Sequence, residues 1–234
     1  MTDFFKEIYA NKAEAYERMV SYEDYQGNIP RALADILPLS GIDVVELGAG
    51  TGRLTLMLAP VVGSIQAFDS AAHMLDVATA KMDAIGLSNW KTAVADNRSL
   101  PVEAGSADLA VAGWSLAHSV GWYPESWQDE IQAALDEMTR VLRPGGTIVL
   151  FETLGTGFET PTPPTEGLAE FYRWLEHERG FTRRWIRTDY QFESAQQAAA
   201  LTRFFFGDDL AETIIEKDWA ILPECTGIWY RRPS

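Results

Sequence analysis

The chain has 234 residues and a formal net charge of −15, from 19 Lys and Arg against 34 Asp and Glu. So acidic a chain repels nucleic-acid backbones and anionic membranes unless its basic residues gather in one patch, which argues against both as partners. A hydrophobic share of 47% supplies the core of one domain, and a single cysteine, Cys225, excludes an intrachain disulfide or a cysteine zinc cluster.

No apolar run approaches the roughly 20 residues that span a bilayer. Residues 1–7 lack a basic flank leading into an apolar stretch, so no secretory signal is expected. A reducing cytoplasm is the expected compartment. Residues 1–38 read as an aromatic, mostly helical lead with Phe4, Phe5, Tyr9, Tyr16, Tyr22 and Tyr25. Its last helix is expected over Ile29–Leu37, with Asn28 as N-cap and Pro30 at the first helical position.

From residue 42 strands and helices alternate. Ile42–Leu47 reads as a first strand, followed by a helix after Gly52 that ends at Pro60. Ser64–Phe68 is a second strand. The helix Ala71–Ile85 follows, with Met74, Leu75, Ala78 and Met82 on one face and Gly86 as its stop. Trp90–Val94 and Asp108–Ala112 are further strands, and Ser126–Leu142 is a helix. The turn Arg143-Pro144-Gly145-Gly146 leads into a fifth strand, Thr147–Phe151. Beyond a Gly-, Pro- and Thr-rich stretch (153–167) come a helix over Glu166–Glu178, a strand within Phe181–Phe192, a helix from Ser194 to Phe206, and a closing strand, Trp219–Tyr230. Near-continuous apolar strands alternating with amphipathic helices predict an α/β, doubly wound, mostly parallel sheet with helices on both faces. Ligands in such sheets bind beyond the carboxyl ends of the strands.

The glycine-rich turn Gly48-Ala49-Gly50-Thr51-Gly52 ends the first strand. Glycines at alternate positions let backbone approach a ligand where a Cβ would collide. Glu46 stands just before the turn, and Asp69 ends the second strand, where a ribose-binding carboxylate belongs. A dinucleotide fingerprint would need a small residue at Arg53, so a nicotinamide-dependent oxidoreductase is the weaker reading.

Four segments together resemble the class I S-adenosylmethionine-dependent methyltransferases over residues 40–152: Glu46–Gly52, Asp69, Ala95-Asp96-Asn97, and Leu142–Gly146. The resemblance implies a Rossmann-like methyltransferase fold with a seven-stranded sheet. Its sixth and antiparallel seventh strands would be Arg184–Phe192 and Ala220–Tyr230. It implies one domain over 1–234: a helical lid (1–38), a cofactor-binding core (40–152), and a substrate-side cap with the last two strands (153–234). S-adenosylmethionine is the implied cofactor. Glu46, Gly48, Ala49, Gly50 and Gly52 would cradle its methionine end; Asp69 would hold ribose, with Ser70 beside it; Asp96 and Asn97 would meet adenine, and Met74 would pack over it. Tyr16 would reach the cofactor carboxylate from the lid.

Gly113 and Trp114, after the fourth strand, are expected to line the pocket. His118 in the same segment is the best-placed base of the three histidines, with a structural helix-start role as the alternative. The segment lacks the Pro-Pro-aromatic pattern of enzymes that methylate nucleic-acid amino groups. The acceptor is therefore expected to be a small molecule. Trp122, Tyr123, Trp127, Phe158, Phe171, Tyr172 and Trp174 either enclose it or form the core of a cap. Arg173, Arg179, Arg183, Arg184 and Arg187 read as solvated charges or an anion site, and Glu152 as an acceptor contact or a partner for an arginine. Cys225 is expected far from the cofactor edge. A metal is not called for. A non-catalytic, cofactor-binding regulatory partner stays open as a further reading, and the oligomeric state is not legible.

Overall fold

The computed structural model describes Ile8 and residues 11–233. Phe4, Phe5 and Tyr9 lie outside the described residues. In chain order the elements are α1 (Ala13–Val20), α2 (Asn28–Ala34), β1 (Asp43–Leu47), α3 (Arg53–Leu58), β2 (Ser64–Asp69), α4 (Ala72–Ala84), β3 (Trp90–Val94), β4 (Ala107–Gly113), α5 (His118–Trp122), α6 (Trp127–Val141), β5 (Leu142–Thr156), α7 (Glu166–His177), β6 (Thr182–Arg187), β7 (Tyr190–Gln191), α8 (Ala195–Phe206), α9 (Asp208–Glu216), β8 (Ile221–Leu222) and β9 (Glu224–Arg231).

Seven strands form one sheet in the order β3-β2-β1-β4-β5-β9-β6. The first five run parallel, and β9 lies antiparallel between β5 and β6. The strand alternation explains the two layers, because successive side chains leave opposite faces of a strand. Val45, Leu47, Ala110, Ala112, Ile148 and Leu150 pack with α6 and α7 through Ile131, Leu135, Met138, Phe171 and Trp174. Val44, Leu109, Val111, Val149 and Phe151 pack the other face with Ile29, Leu33, Leu54, Leu58 and Met82. A third cluster joins the lead to the C-terminal region: Met19 and Val20 pack with Tyr190, Phe192, Ala198, Ala211 and Ile214.

Four expectations need correction. The start of α2 is capped from further back: Gly27 is its N-cap, at φ 68°, with no side-chain cap of its own. The Asp24 carboxylate instead accepts from the backbone N–H groups of Asn28 at 2.8 Å and Ile29 at 2.9 Å. Asn28 is thus a helix residue, and Pro30 is not at the first position. The glycine turn at 143–146 is an irregularity inside β5, since Ala107 pairs with Leu142 but Leu109 pairs with Thr147. The sixth strand stops at Arg187, and Tyr190–Gln191 belongs to a separate two-stranded ribbon with β8. Finally, α9 falls where no helix was expected, just before the last strand.

Arg143 spans the amino ends of β1 and β4 by bonding Asp43 and Asp108, each at 2.7 Å. The Leu142–Gly146 segment thus trims the sheet edge opposite the strands' carboxyl ends. All three side chains are about a third or more exposed, so water and salt screen these pairs and they add little to stability.

Candidate active site

A cavity of about 430 Å³ opens at the carboxyl ends of β1, β2 and β4. Twelve of the expected residues lie on its wall: Tyr16, Glu46, Gly48, Ala49, Asp69, Ser70, Met74, Asp96, Asn97, Gly113, Trp114 and His118. Gly50 and Gly52 do not. Gly50 donates its N–H to Asp69 Oδ2 at 2.8 Å. Gly52, at φ 79°, lets α4 approach, since a Cβ there would stand 2.9 Å from that of Ala78.

Gly48 is the tightest point of the turn. It has φ 66°, and a Cβ there would fall 1.9 Å from Ser115 Oγ and 2.5 Å from Ser115 Cβ. Ser115 is held in place by Asn97, whose Nδ2 donates to its hydroxyl at 3.1 Å. The turn after β1, the loop after β3 and the loop after β4 therefore meet at one spot. Asp69 binds the turn from the other side. Its Oδ1 accepts from Ala71 N–H and its Oδ2 from Gly50 N–H, both at 2.8 Å. Each oxygen keeps a further lone pair for a ligand hydroxyl. Burial raises the Asp69 carboxyl, opposed by these backbone bonds.

Asp96 sits at the rim, with its two oxygens on Arg98, and Arg98 also pairs with Glu130. Met74 is buried, 3.6 Å from the position a Gly50 Cβ would take. Tyr16 tilts against Phe205 at 5.5 Å between ring centroids. Burial pushes its phenol up to about 12, the positive charge of Arg53 acting the other way. His118 starts α5 and stacks on Trp122 at 5.0 Å. Burial lowers its imidazole to about 4, partly offset by its bond to the Trp114 backbone. The imidazole is neutral at physiological pH.

Glu152 resolves differently from either expectation. It is buried at the end of β5 and accepts from the N–H of Ala117 at 3.0 Å. Backbone bonds from Ser115 and Leu116 add to this, and burial still raises the carboxyl to about 8. It therefore holds the loop after β4 and starts α5. Glu46 accepts from the Thr55 hydroxyl at 2.6 Å, and burial raises it to about 8. Burial does the same for Glu224.

These three acids keep their protons in the folded chain well above their ordinary 4.5, so the folded state binds more protons than the unfolded one. Their contribution to stability is present below pH 4.5 and lost as pH rises through about 8. Each loses part of that contribution with every proton released inside the window. His118, lowered to about 4, opposes them only up to its ordinary value of 6.5. The melting temperature is thus expected to fall from pH 6.5 to pH 8, with a shallower fall in Glu152→Gln; a melting temperature that rises over that range contradicts the assignment.

The aromatic group divides. Trp122 and Tyr123 line the cavity, whereas Trp127, Phe171, Tyr172 and Trp174 are buried core and Phe158 is half exposed. The basic residues do not form one patch: Arg173 pairs with Glu166, Arg183 with Glu176 and Arg187 with Asp189, while Arg179 covers Trp174 and Arg184 covers Tyr230. Cys225 lies toward the carboxyl edge rather than far from it, because β9 runs antiparallel and begins there. It is outside the cavity wall, its thiol donates to the Phe158 carbonyl at 3.4 Å, and burial raises it to about 11. Wall residues that sequence reasoning did not single out include Thr51, Arg53, His73 and Arg98. Arg53 was legible as a charge directly after the glycine turn, but not as part of the wall.

The sheet order, with a glycine turn at its carboxyl edge and an acid ending the neighbouring strand, is that of a Rossmann-like α/β domain. Residues 44–146 match a family model described as a methyltransferase domain, and the sheet has the fold of Rossmann-like methyltransferases. Among curated relatives, a demethylmenaquinone methyltransferase from Staphylococcus aureus is 29% identical over 152 residues, which cover 62% of this chain and 58% of that protein. Among solved structures, a SAM-dependent methyltransferase from Aquifex aeolicus aligns with TM-score 0.56 and 15% identity over 92% of both chains. A phosphoethanolamine N-methyltransferase from Haemonchus contortus, in complex with phosphomonomethylethanolamine and S-adenosylhomocysteine, gives TM-score 0.60 at 15% identity, covering 95% of this chain and 57% of that one. These likenesses between structures concern the fold. No described helix is long and apolar enough to cross a membrane.

Proposed function

We propose that the chain transfers a methyl group from S-adenosylmethionine to a small molecule. The observation that carries this reading is the closed seam at Gly48, Ser115 and Asn97, with Asp69 facing the same cavity. The residues suit the cofactor: Gly48 admits no Cβ, and the Asp69 oxygens retain capacity for ribose hydroxyls. Gly48, Ala49 and Asp69 would hold it, with Ser70, Asp96, Asn97 and Met74 toward the adenine. When bound, the cofactor supplies an already activated methyl group, whose transfer depends chiefly on alignment and exclusion of water. Tyr16 on α1 and Trp114 on the loop after β4 enclose the cavity from two sides. The lead acts as a lid in this reading.

Trp114, Trp122 and Tyr123 suit an apolar or aromatic acceptor. The acidic chain and its locally paired arginines disfavour nucleic acid, and the unreactive Cys225 thiol fits a reducing cytoplasm. Calorimetry with S-adenosylhomocysteine and with NAD tests the cofactor: saturable binding of NAD alone would return the nicotinamide reading. Methyl transfer by the purified chain separates an enzyme from a regulatory cofactor-binding partner.

His118 remains the candidate proton acceptor where the acceptor needs one. General-base catalysis typically contributes about 10²–10⁴-fold, and an imidazole lowered to about 4 works toward the low end. His118→Ala is expected to reduce turnover with little change in affinity for S-adenosylhomocysteine. Unchanged turnover would leave His118 with its stacking role on Trp122.

A further inference from the structure

Among the described residues, Arg53 is the one arginine or lysine on the cavity wall that keeps buried donors without a partner. It opens α3 directly after the glycine turn, and its guanidinium lies 3.9 Å from the centroid of the Trp114 ring. Nη1 donates to Glu23 Oε2 at 2.7 Å. Glu23 is itself fixed by the Thr188 hydroxyl, which donates to Oε1 at 3.1 Å. Nε and Nη2 are buried and have no hydrogen-bond partner among the described residues. Only 14% of the side chain is exposed. Buried polar groups are almost always paired, and a buried cation with open donors is costly to maintain.

The geometry of a guanidinium explains which ligand would complete it. Nε and Nη2 form one edge of the planar fork, and that edge matches the two oxygens of a carboxylate. Glu23 occupies Nη1, and Trp114 covers one face of the plane. The open edge belongs to a residue on the wall of the cavity, beside Tyr16 and Trp114.

We propose that Arg53 is the carboxylate-binding residue of this cavity, taking one carboxylate in a bidentate contact through Nε and Nη2. The inference rests on the cofactor reading above. Two sources share the chemistry: the carboxylate of the cofactor's methionine end and a carboxylate on the acceptor. Because Nη1 stays on Glu23, the ligand would also be tied to the segment that follows α1.

The test compares two ligands in three proteins by calorimetry. The ligands are S-adenosylhomocysteine and its decarboxylated analogue, an aminopropyl thioether of adenosine. The proteins are the natural chain, Arg53→Lys and Arg53→Gln; the lysine variant keeps the charge but not the fork. General damage weakens both ligands alike and cancels in their ratio. If the cofactor is the source, the natural chain prefers the carboxylated ligand by about 10- to 100-fold, the range of charged hydrogen bonds, and both variants lose most of that preference. If the acceptor is the source, the preference is the same in all three proteins. Benzoate then binds the S-adenosylhomocysteine-loaded natural chain and fails to bind loaded Arg53→Gln. An Arg53-independent preference together with Arg53-independent benzoate binding, or no benzoate binding in any protein, overturns the proposal. A natural chain that binds neither adenosine ligand removes the cofactor reading, and this inference with it.

Discussion

Gly48→Ala is expected to abolish cofactor binding and methyl transfer, and to lower the melting temperature of the free protein as well. The new Cβ would lie 1.9 Å from Ser115 Oγ and 2.5 Å from its Cβ. Rotating the hydroxyl relieves the first contact but not the second. Ser115 cannot simply retreat, because Asn97 bonds its side chain and Glu152 receives backbone N–H groups from residues 115–117. The left-handed backbone adds about 1–2 kcal/mol for any residue with a Cβ. Turn and loop must therefore separate, which opens the seam where the cofactor is proposed to lie. The paired change Gly48→Ala with Ser115→Gly removes the obstructing Cβ and is expected to restore part of the melting temperature. A Gly48→Ala protein with unaltered melting and unaltered affinity for S-adenosylhomocysteine would contradict the seam as the binding element.

Asp69→Ala is the second large effect. In the free protein it strips the turn of the carboxylate that Gly50 and Ala71 donate to. In the complex it also removes the proposed pair of ribose contacts. Charged hydrogen bonds contribute roughly 1.5–3 kcal/mol each, so losing two weakens S-adenosylhomocysteine about 10²–10⁴-fold. The two roles separate by experiment: the melting temperature of the free protein reports the turn, and calorimetry reports the ribose. Equal affinity in the variant and the natural chain would remove Asp69 from the ribose and leave it a turn residue.

Much of the architecture was legible because hydrophobic periodicity is a local property. The parallel strands read as short apolar runs, and the helices over 72–84 and 127–141 showed their buried faces at helical spacing. Positions where the reading slipped depend on partners distant in sequence. The sixth strand was drawn too long because Tyr190 and Phe192 continue its apolar pattern, yet their partners are α8 and the lead rather than β9. The cap of α2 was misplaced because Asp24 reaches across a turn that local preference assigns to Asn28. The aromatic residues could not be sorted from sequence, since Trp122 on the cavity and Trp127 in the core differ by five positions on two successive helices whose orientation packing decides.

The sequence alone determined the alternation of strand and helix, the glycine turn at Gly48, Gly50 and Gly52, and the acid at the end of the second strand. Each follows from backbone sterics and periodicity over a few neighbouring residues. Tertiary structure decided which polar groups are satisfied. It spent the Glu152 carboxylate on the loop after β4, bound Asp96 to Arg98, and buried Arg53 between Glu23 and Trp114 with two donors unpaired among the described residues. Burial and pairing are properties of the assembled chain, because a side chain's partners come from segments that meet only when the sheet and its covering helices have packed.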